Sequence, residues 1–550
     1  MSGAAATASP APARSGTARS RLAALDGVEW ACLAGLALVS VAVLVPLLSR
    51  GRPLSGADGL YPLDQLQYFA WIRESAHHWL IGNPYDLARG ERAFLHPGFL
   101  ISGLAVRLGL PVPLAYLMWK PVAVAVTFTG ALLYVRRLLA ARGQRHAALI
   151  LALFAVMPAT ALVAWSGWGG PRRQYTFDFI SGEMWTGQYL WGYLMTALAV
   201  FSMPLVLLAL ERRRSGGPAW LLWASAAGAL LITWLQPWQG ATLGAIVVAV
   251  EAFRWWRGRE RPRPEFAVVL VAAVLPAIYY ALLSRYDPAW KLAGEVNAAG
   301  SQPAWSWPWW AVVLTVAPLA APAALAYRLR APSWQEVAVR VWPLAALAVY
   351  ALPVTFPYHA FQGLTLPLAI LAVQGVASVW AHPPRWAVIA ALAVMVLPGL
   401  AHKLDVAATN IHSGRDPYFV LGDERRALDW LARDPRPGGV LAPLYAGQII
   451  PSATGRETWV GALSWSPDFA RRTGLATDLF QGRLGPARAR RLVLDTRARF
   501  LFAQCGTAAG GRLAPLLGPL VESVERFGCA TVYVLRERPA MLAAAGPPDA

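Results

Sequence analysis

The residues best placed to do chemistry are acids in two segments, SGADGLYPLDQLQYFAWIRESAHH (55–78) and SGWGGPRRQYTFDFISGEMWTGQYLWG (166–192). The first begins as a turn and becomes helical at about Leu63, so Asp64 falls in the first helical turn and Tyr68 and Ile72 follow on one face. Asp64 has two readings: a helix cap that satisfies a free backbone N–H, or a surface carboxylate able to act as general base or to hold a metal. Asp58, in the Gly-rich GADG, reads as a turn former. The second segment places Arg172, Arg173, Asp178 and Glu183 among aromatics, which suits either a solvated loop or a phosphate-binding surface. TWLQPWQG (233–240) and FPYHAFQGLTLP (356–367) add Gln236, Gln239, His359 and Gln362 between apolar stretches. His359 reads either as a helix-end hydrogen-bond former or as a ligand contact. His77 and His78 are adjacent, point to different helix faces and make a poor metal pair. The chain has no Walker-type loop, CxxC, HExxH or GxSxG in a strand-turn-helix setting.

What must position these residues is a membrane domain. Of the 550 residues, 57% are hydrophobic and 14% charged, a balance ordinary soluble proteins do not show. The net charge of +19 does not mark a nucleic-acid partner, because the Arg residues sit in short loops between apolar segments and not on one face. Many of the 26 Trp lie near the ends of those segments, at headgroup level. A span needs roughly 20 apolar residues. Candidates fall near 28–48, 114–135, 147–165, 189–210, 219–235, 239–253, 266–283, 309–327, 342–356, 363–381 and 386–402. Residues 1–25 read as a disordered cytoplasmic tail, and 28–48 as a retained first span.

One further stretch, PGFLISGLAVRLGL (97–110), is short and carries Arg107. With it lying along the membrane, loops 136–146, 211–218, 254–265, 328–341 and 382–385 hold sixteen Arg. The opposite loops 166–188, 236–238, 284–308 and 357–362 hold four Arg or Lys. The positive-inside rule then puts the N-terminus in the cytoplasm, and the first loop (49–113), loops 166–188 and 284–308 and the C-terminal tail outside. The expected fold is mostly α: a polytopic transmembrane bundle of about eleven spans over 26–402 with a small extracytoplasmic α/β domain over 403–540 and a flexible end, 541–550.

The order in the first outer loop is an Asp, polar neighbours and an aromatic (Asp64, Gln65, Gln67, Tyr68), a surface helix, then a His-Pro pair opening a second one (His96, Pro97). It resembles the GT-C glycosyltransferase superfamily, as motif over about 45 residues and as topology over most of the membrane domain. The resemblance implies an enzyme of the plasma membrane that takes a sugar from a polyprenyl-phosphate donor and passes it to a glycan, lipid or protein acceptor on the outer face. It also implies that Asp64 is catalytic or metal-binding and that the second outer loop supplies a second acid, Asp178 before Glu183. A divalent metal ion is then held by Asp64 and Asp178, while Arg172, Arg173, Glu183, His96, His359 and Gln362 contact substrate. Gln65 stands where the family often has Asp or Glu, and Gly98 where many members have a second Pro.

In the tail, 423–434 reads as an amphipathic helix, 438–444, 498–505 and 529–537 as strands, and 512–527 as a helix between the last two. A parallel arrangement of those last strands would separate Cys505 from Cys529. An antiparallel return would let them form a disulfide, the pairing expected here. Cys32, in the first span, reads as a small buried residue. Two other functions fit the span count: a lipid or solute transporter, and a non-catalytic envelope assembly protein. Neither accounts for acids gathered in two outer loops beside surface helices.

Overall fold

The computed structural model describes residues 25–537 apart from 89, 259–260, 302–307, 332, 353–355 and 414–416. The expected N-terminal tail through residue 24 and the expected end from 541 lie outside the described residues. Each of the eleven apolar segments is helical. Six helices are long and apolar enough to cross a membrane: Gly27–Leu48, Val112–Leu138, Leu194–Arg214, Pro264–Tyr286, Trp309–Ala326 and Arg385–His412. A seventh is added if Arg142–Phe154 and Pro158–Ser166, bent by 48°, count as one span. That bend follows from Pro158, which cannot donate to the helix before it. Trp220–Leu235, Pro237–Trp256, Trp334–Tyr350 and Thr365–Val379 complete the bundle. The protein is thus a multi-pass helical membrane protein with a small sheet domain.

The stretch 97–110 forms only the short helix Pro97–Arg107, preceded by the surface helix Pro62–Ser75 that packs against it. The last span differs from its expected end at 402, because the helix runs on to Ser413. The expected span 189–210 begins only at Leu194, because the chain breaks at Gly192 with φ +105°.

The sheet has the order β1 (Val440–Leu441), β2 (Phe500–Ala503), β4 (Ala530–Leu535), β3 (Val521–Phe527). β1 and β2 are parallel, and both β2 and β3 run antiparallel to β4. The expected helix 512–527 is corrected to Leu513–Leu517 followed by β3, an edge strand. The spacing of Val521, Val524 and Phe527 imitates a helix. A hairpin at Gly528 (φ +67°) and Cys529 turns that stretch back along β4.

Because β2 and β4 are antiparallel, the end of one meets the start of the other. Cys505 and Cys529 are disulfide-bonded with Cα atoms 4.9 Å apart. Closing a 24-residue loop restricts the unfolded chain. Cys529→Ser should therefore lower the stability of the tail by about 3 kcal/mol, read as the shift in its urea midpoint under limited proteolysis. An unchanged midpoint would mean that the bond adds nothing in the native envelope.

Candidate functional site

The site is built where several helices stop. Pro62 opens the first surface helix after Tyr61, and Asp64 sits in its first turn without capping it. Its Oδ2 instead accepts a 2.6 Å hydrogen bond from the Tyr193 hydroxyl, just beyond the Gly192 break. Tyr61 and Tyr68 pack on Tyr193 with ring centroids 6.2 and 6.5 Å away. Burial among these rings pushes the Asp64 carboxyl above its ordinary range, against the pull of Tyr193. The side chain keeps partial access to solvent, and its Oδ1 has no partner among the described residues.

The approach of this helix to the break is fixed by Gln65 and by two glycines. Gln65 Oε1 accepts from the backbone of Asp58 (2.8 Å) and Gly59 (2.6 Å), and its amide donates to Asp58 Oδ1 (2.8 Å). A Cβ on Gly59 would stand 2.5 Å from the Trp191 carbonyl, so only glycine lets the two backbones touch. Asp58 is more than the turn former of the sequence reading: it is buried and paired with Lys120 at 2.7 Å.

Glu183, at the end of the helix Gly170–Met184, acts electrostatically on Asp64. Its Oε2 accepts from His359 Nδ1 (2.9 Å) and Gln362 Nε2 (2.8 Å), and the carboxylate partner places the proton of His359 on Nδ1. Gln236 donates to Gln362 Oε1 (2.7 Å), and Gln239 to the His359 carbonyl (2.8 Å). Thus the two motifs with Gln and His at span ends converge on one acid, and Glu183 and His359 both act electrostatically on Asp64. The second oxygen of Glu183 and Nε2 of His359 have no protein partner among the described residues.

Asp178 occupies a different environment. Lys403 Nζ lies 2.7 Å and His402 Nε2 3.2 Å from its Oδ1, and Thr160 donates to it at 3.3 Å. Lys403 is fully buried, and its charge together with these hydrogen bonds holds the Asp178 carboxyl well below the usual range against the opposing effect of burial. Asp178 therefore fastens the second-loop helix to the last span, and the acid that faces Asp64 is Glu183. Arg173 lies over Trp168 and Trp310 at 4.2 and 5.3 Å, and Arg172 is exposed beside it. Both are at the start of this helix, about 16 Å of helical rise from Glu183.

His96 is buried, caps the helix Pro97–Arg107 by accepting from Phe99 N–H (3.2 Å) and stacks on the Phe99 ring at 4.0 Å. Burial pushes its pKa down to about 3, so it is a neutral structural residue. Sequence reasoning missed Tyr193, Lys120, Lys403 and His402. AHKLD (401–405) reads as a domain boundary after the last span, and only the unbroken helix to Ser413 exposes it as a charge site.

As for known proteins, no protein family and no curated protein matches this chain. Several solved structures are similar to it, three of which follow. The oligosaccharyltransferase AglB from Archaeoglobus fulgidus, in complex with an inhibitory peptide and a dolichol-phosphate, is 12% identical with TM-score 0.49, over 86% of this chain and 69% of that one. ArnT from Cupriavidus metallidurans bound to undecaprenyl phosphate is 12% identical with TM-score 0.46, over 97% and 100%. The arabinofuranosyltransferase AftD from Mycobacteria is 15% identical with TM-score 0.49, over 95% and 40%.

The buried pair gives a direct test of the anchoring role. Lys403→Met leaves Asp178 without its cation and should destabilise the protein on the order of 3 kcal/mol. The double variant with Asp178→Asn should recover part of that loss, measured as melting temperatures in nanodiscs. Additive losses would show that the pair is not coupled.

Proposed function

We propose that this chain is a GT-C-type glycosyltransferase that moves a sugar from a polyprenyl-phosphate carrier to an envelope glycan, lipid or protein acceptor on the outer face of the plasma membrane. The observation that carries this reading is that Asp64, held by a single hydroxyl, interacts electrostatically with Glu183 and His359, and that Glu183 is held by His359 and Gln362. A carboxylate with one free oxygen and a raised pKa suits a general base.

In the proposed step the acceptor hydroxyl attacks the anomeric carbon of the sugar, and its proton passes to Asp64 Oδ1. The bond from that carbon to the phosphate oxygen breaks, and polyprenyl phosphate leaves with the electron pair. His359, oriented by Glu183 through Nδ1, presents Nε2 to that phosphate when protonated. Single displacement inverts the sugar carbon.

The expected metal pair of Asp64 with Asp178 does not suit the geometry, since Asp178 is already neutralised by Lys403. The free oxygens of Asp64 and Glu183 are hard donors of the kind a divalent cation takes, and such an ion would offset the charge of the leaving phosphate. Among the described residues the one cluster of three ligand-type side chains is Asp423, Cys505 and Cys529, whose thiols are bonded to each other.

Asp64→Asn should cut transfer by about 10²- to 10⁴-fold while the protein stays folded, measured with purified enzyme and a polyprenyl-phosphate sugar in nanodiscs. Wild-type rates would remove Asp64 from the chemistry.

The pH dependence has a definite sign. Asp64 must be ionised to accept the proton, and its folded pKa is raised, so activity falls as pH drops through a value above the ordinary carboxylate range. Tyr193→Phe removes a hydrogen bond that favours the ionised form, so the acidic limb should move further toward neutral pH. A limb that stays in place would show that another group titrates.

For the orientation, with the N-terminus inside and the tail outside, a cysteine introduced at Gln144 should resist impermeant thiol reagents in intact cells. Efficient labelling would invert the topology.

A further inference from the structure

Away from this site, a groove of about 520 Å³ opens between the first and last membrane helices, at the end where the first span leads into loop 49–113. Pro46, Ser49 and Arg50 line it from one helix, and Ala408, Thr409 and His412 from the other. Arg50 and His412 reach across and touch, guanidinium to Nδ1. Each finds in the other its only polar partner among the described residues. Among the described residues no carboxylate lines the groove, and Asp405 lies about 10 Å down the helix from His412.

Two basic side chains face one space with a hydroxyl on each wall, Ser49 and Thr409, and no acid lines it among the described residues. An anion with several oxygens satisfies this set, because the guanidinium fork and the imidazole Nε2–H both donate to phosphate oxygens.

The level of the groove selects the source of that anion. Arg50 follows a membrane helix of 22 residues and His412 ends one of 28, so they stand about 33 and 42 Å from the opposite ends of their helices. A bilayer with its headgroups is about 40–45 Å thick, so both fall in the headgroup layer. Pro46 and Ala408 line the groove beside its polar residues, and its volume is large enough for a headgroup.

We propose that this groove binds the phosphate of an anionic membrane lipid and so joins the first span to the last. The proposal rests on the membrane placement and not on the glycosyltransferase reading. Basic pockets between membrane helices are suited to such headgroups.

The test uses the full-length protein in nanodiscs of phosphatidylcholine, with and without phosphatidylglycerol, together with native mass spectrometry of the lipids it retains. The wild-type protein should melt higher with phosphatidylglycerol and retain one molecule of it. Arg50→Gln should retain at least tenfold less and lose the added melting temperature, while Arg50→Lys keeps most of both. Melting of the Arg50→Gln protein in pure phosphatidylcholine should match wild type, which separates lost binding from lost folding. Equal retention by wild type and Arg50→Gln, or retention of phosphatidylcholine as strong as that of phosphatidylglycerol, would overturn the proposal. So would inorganic phosphate in phosphatidylcholine discs raising the melting temperature as much as the lipid does, since the occupant would then be a soluble anion.

Discussion

A helix that stops inside an apolar bundle leaves backbone groups that no water can satisfy, and the rest of this structure depends on how those groups are met. Around Gly192 the solution is explicit. The Tyr116 hydroxyl donates to the Gly192 carbonyl at 2.6 Å and accepts from Leu194 N–H at 3.2 Å. Lys120 donates to the carbonyls of Leu190 (2.9 Å) and Ser40 (2.6 Å) and balances its charge on Asp58. A second break, at Gln236, and a third, at Phe356 to Gly363, are closed by Gln239 on the His359 carbonyl and by Gly363 N–H on the Tyr189 hydroxyl. These breaks lie side by side. Polar side chains brought in to satisfy backbone are then already present near Asp64 and Glu183.

The same economy explains the buried charges. Taking an ion from water costs several kcal/mol, so a buried ion needs a partner of opposite sign or hydrogen bonds that offset the loss. Asp178 with Lys403 ties the second-loop helix to the last span, and Glu251 ties Arg214 to the indole of Trp334 at the far end of the bundle. These pairs hold the register of helices whose apolar surfaces alone would allow sliding. Asp64 stands apart from them, since only a neutral hydroxyl meets it. A carboxylate left that way in an otherwise compensated interior is available to take a proton.

Periodicity made the apolar segments legible, and 97–110, set apart by the charge asymmetry of the loops, forms a helix of eleven residues. Asp64, Glu183, His359 and Gln362 were also visible as polar residues at the ends of apolar runs. What could not be read was which of them meet. Asp178 and Glu183 lie on one helix five residues apart, and nothing local says that one will face a lysine some 225 positions away and the other Asp64. Tyr193 carried no signal because its role comes from a backbone break. The error in the tail has a different cause. Val521, Val524 and Phe527 fit a helical spacing, and an edge strand with one face open to solvent imposes too little alternation to correct it.

The tail is attached at the end of the surface helix remote from Asp64. The helix Leu444–Thr454 lies along Pro62–Ser75, and Arg73 donates to the Ser452 carbonyl at 2.7 Å. Further along the first loop, Asn83 donates to the Trp465 carbonyl (2.8 Å) and Asp86 pairs with Arg472 (2.8 Å). Trp465 packs edge-on against Trp71 and Trp290, joining the tail to the first and third loops. A surface helix of fourteen residues would not hold its place on propensity alone. Gln65 and Tyr193 fix one end of it, and the tail fixes the other. The position of Asp64 is therefore a property of the whole chain, and the tail domain acts on the site through this helix without supplying a side chain to it.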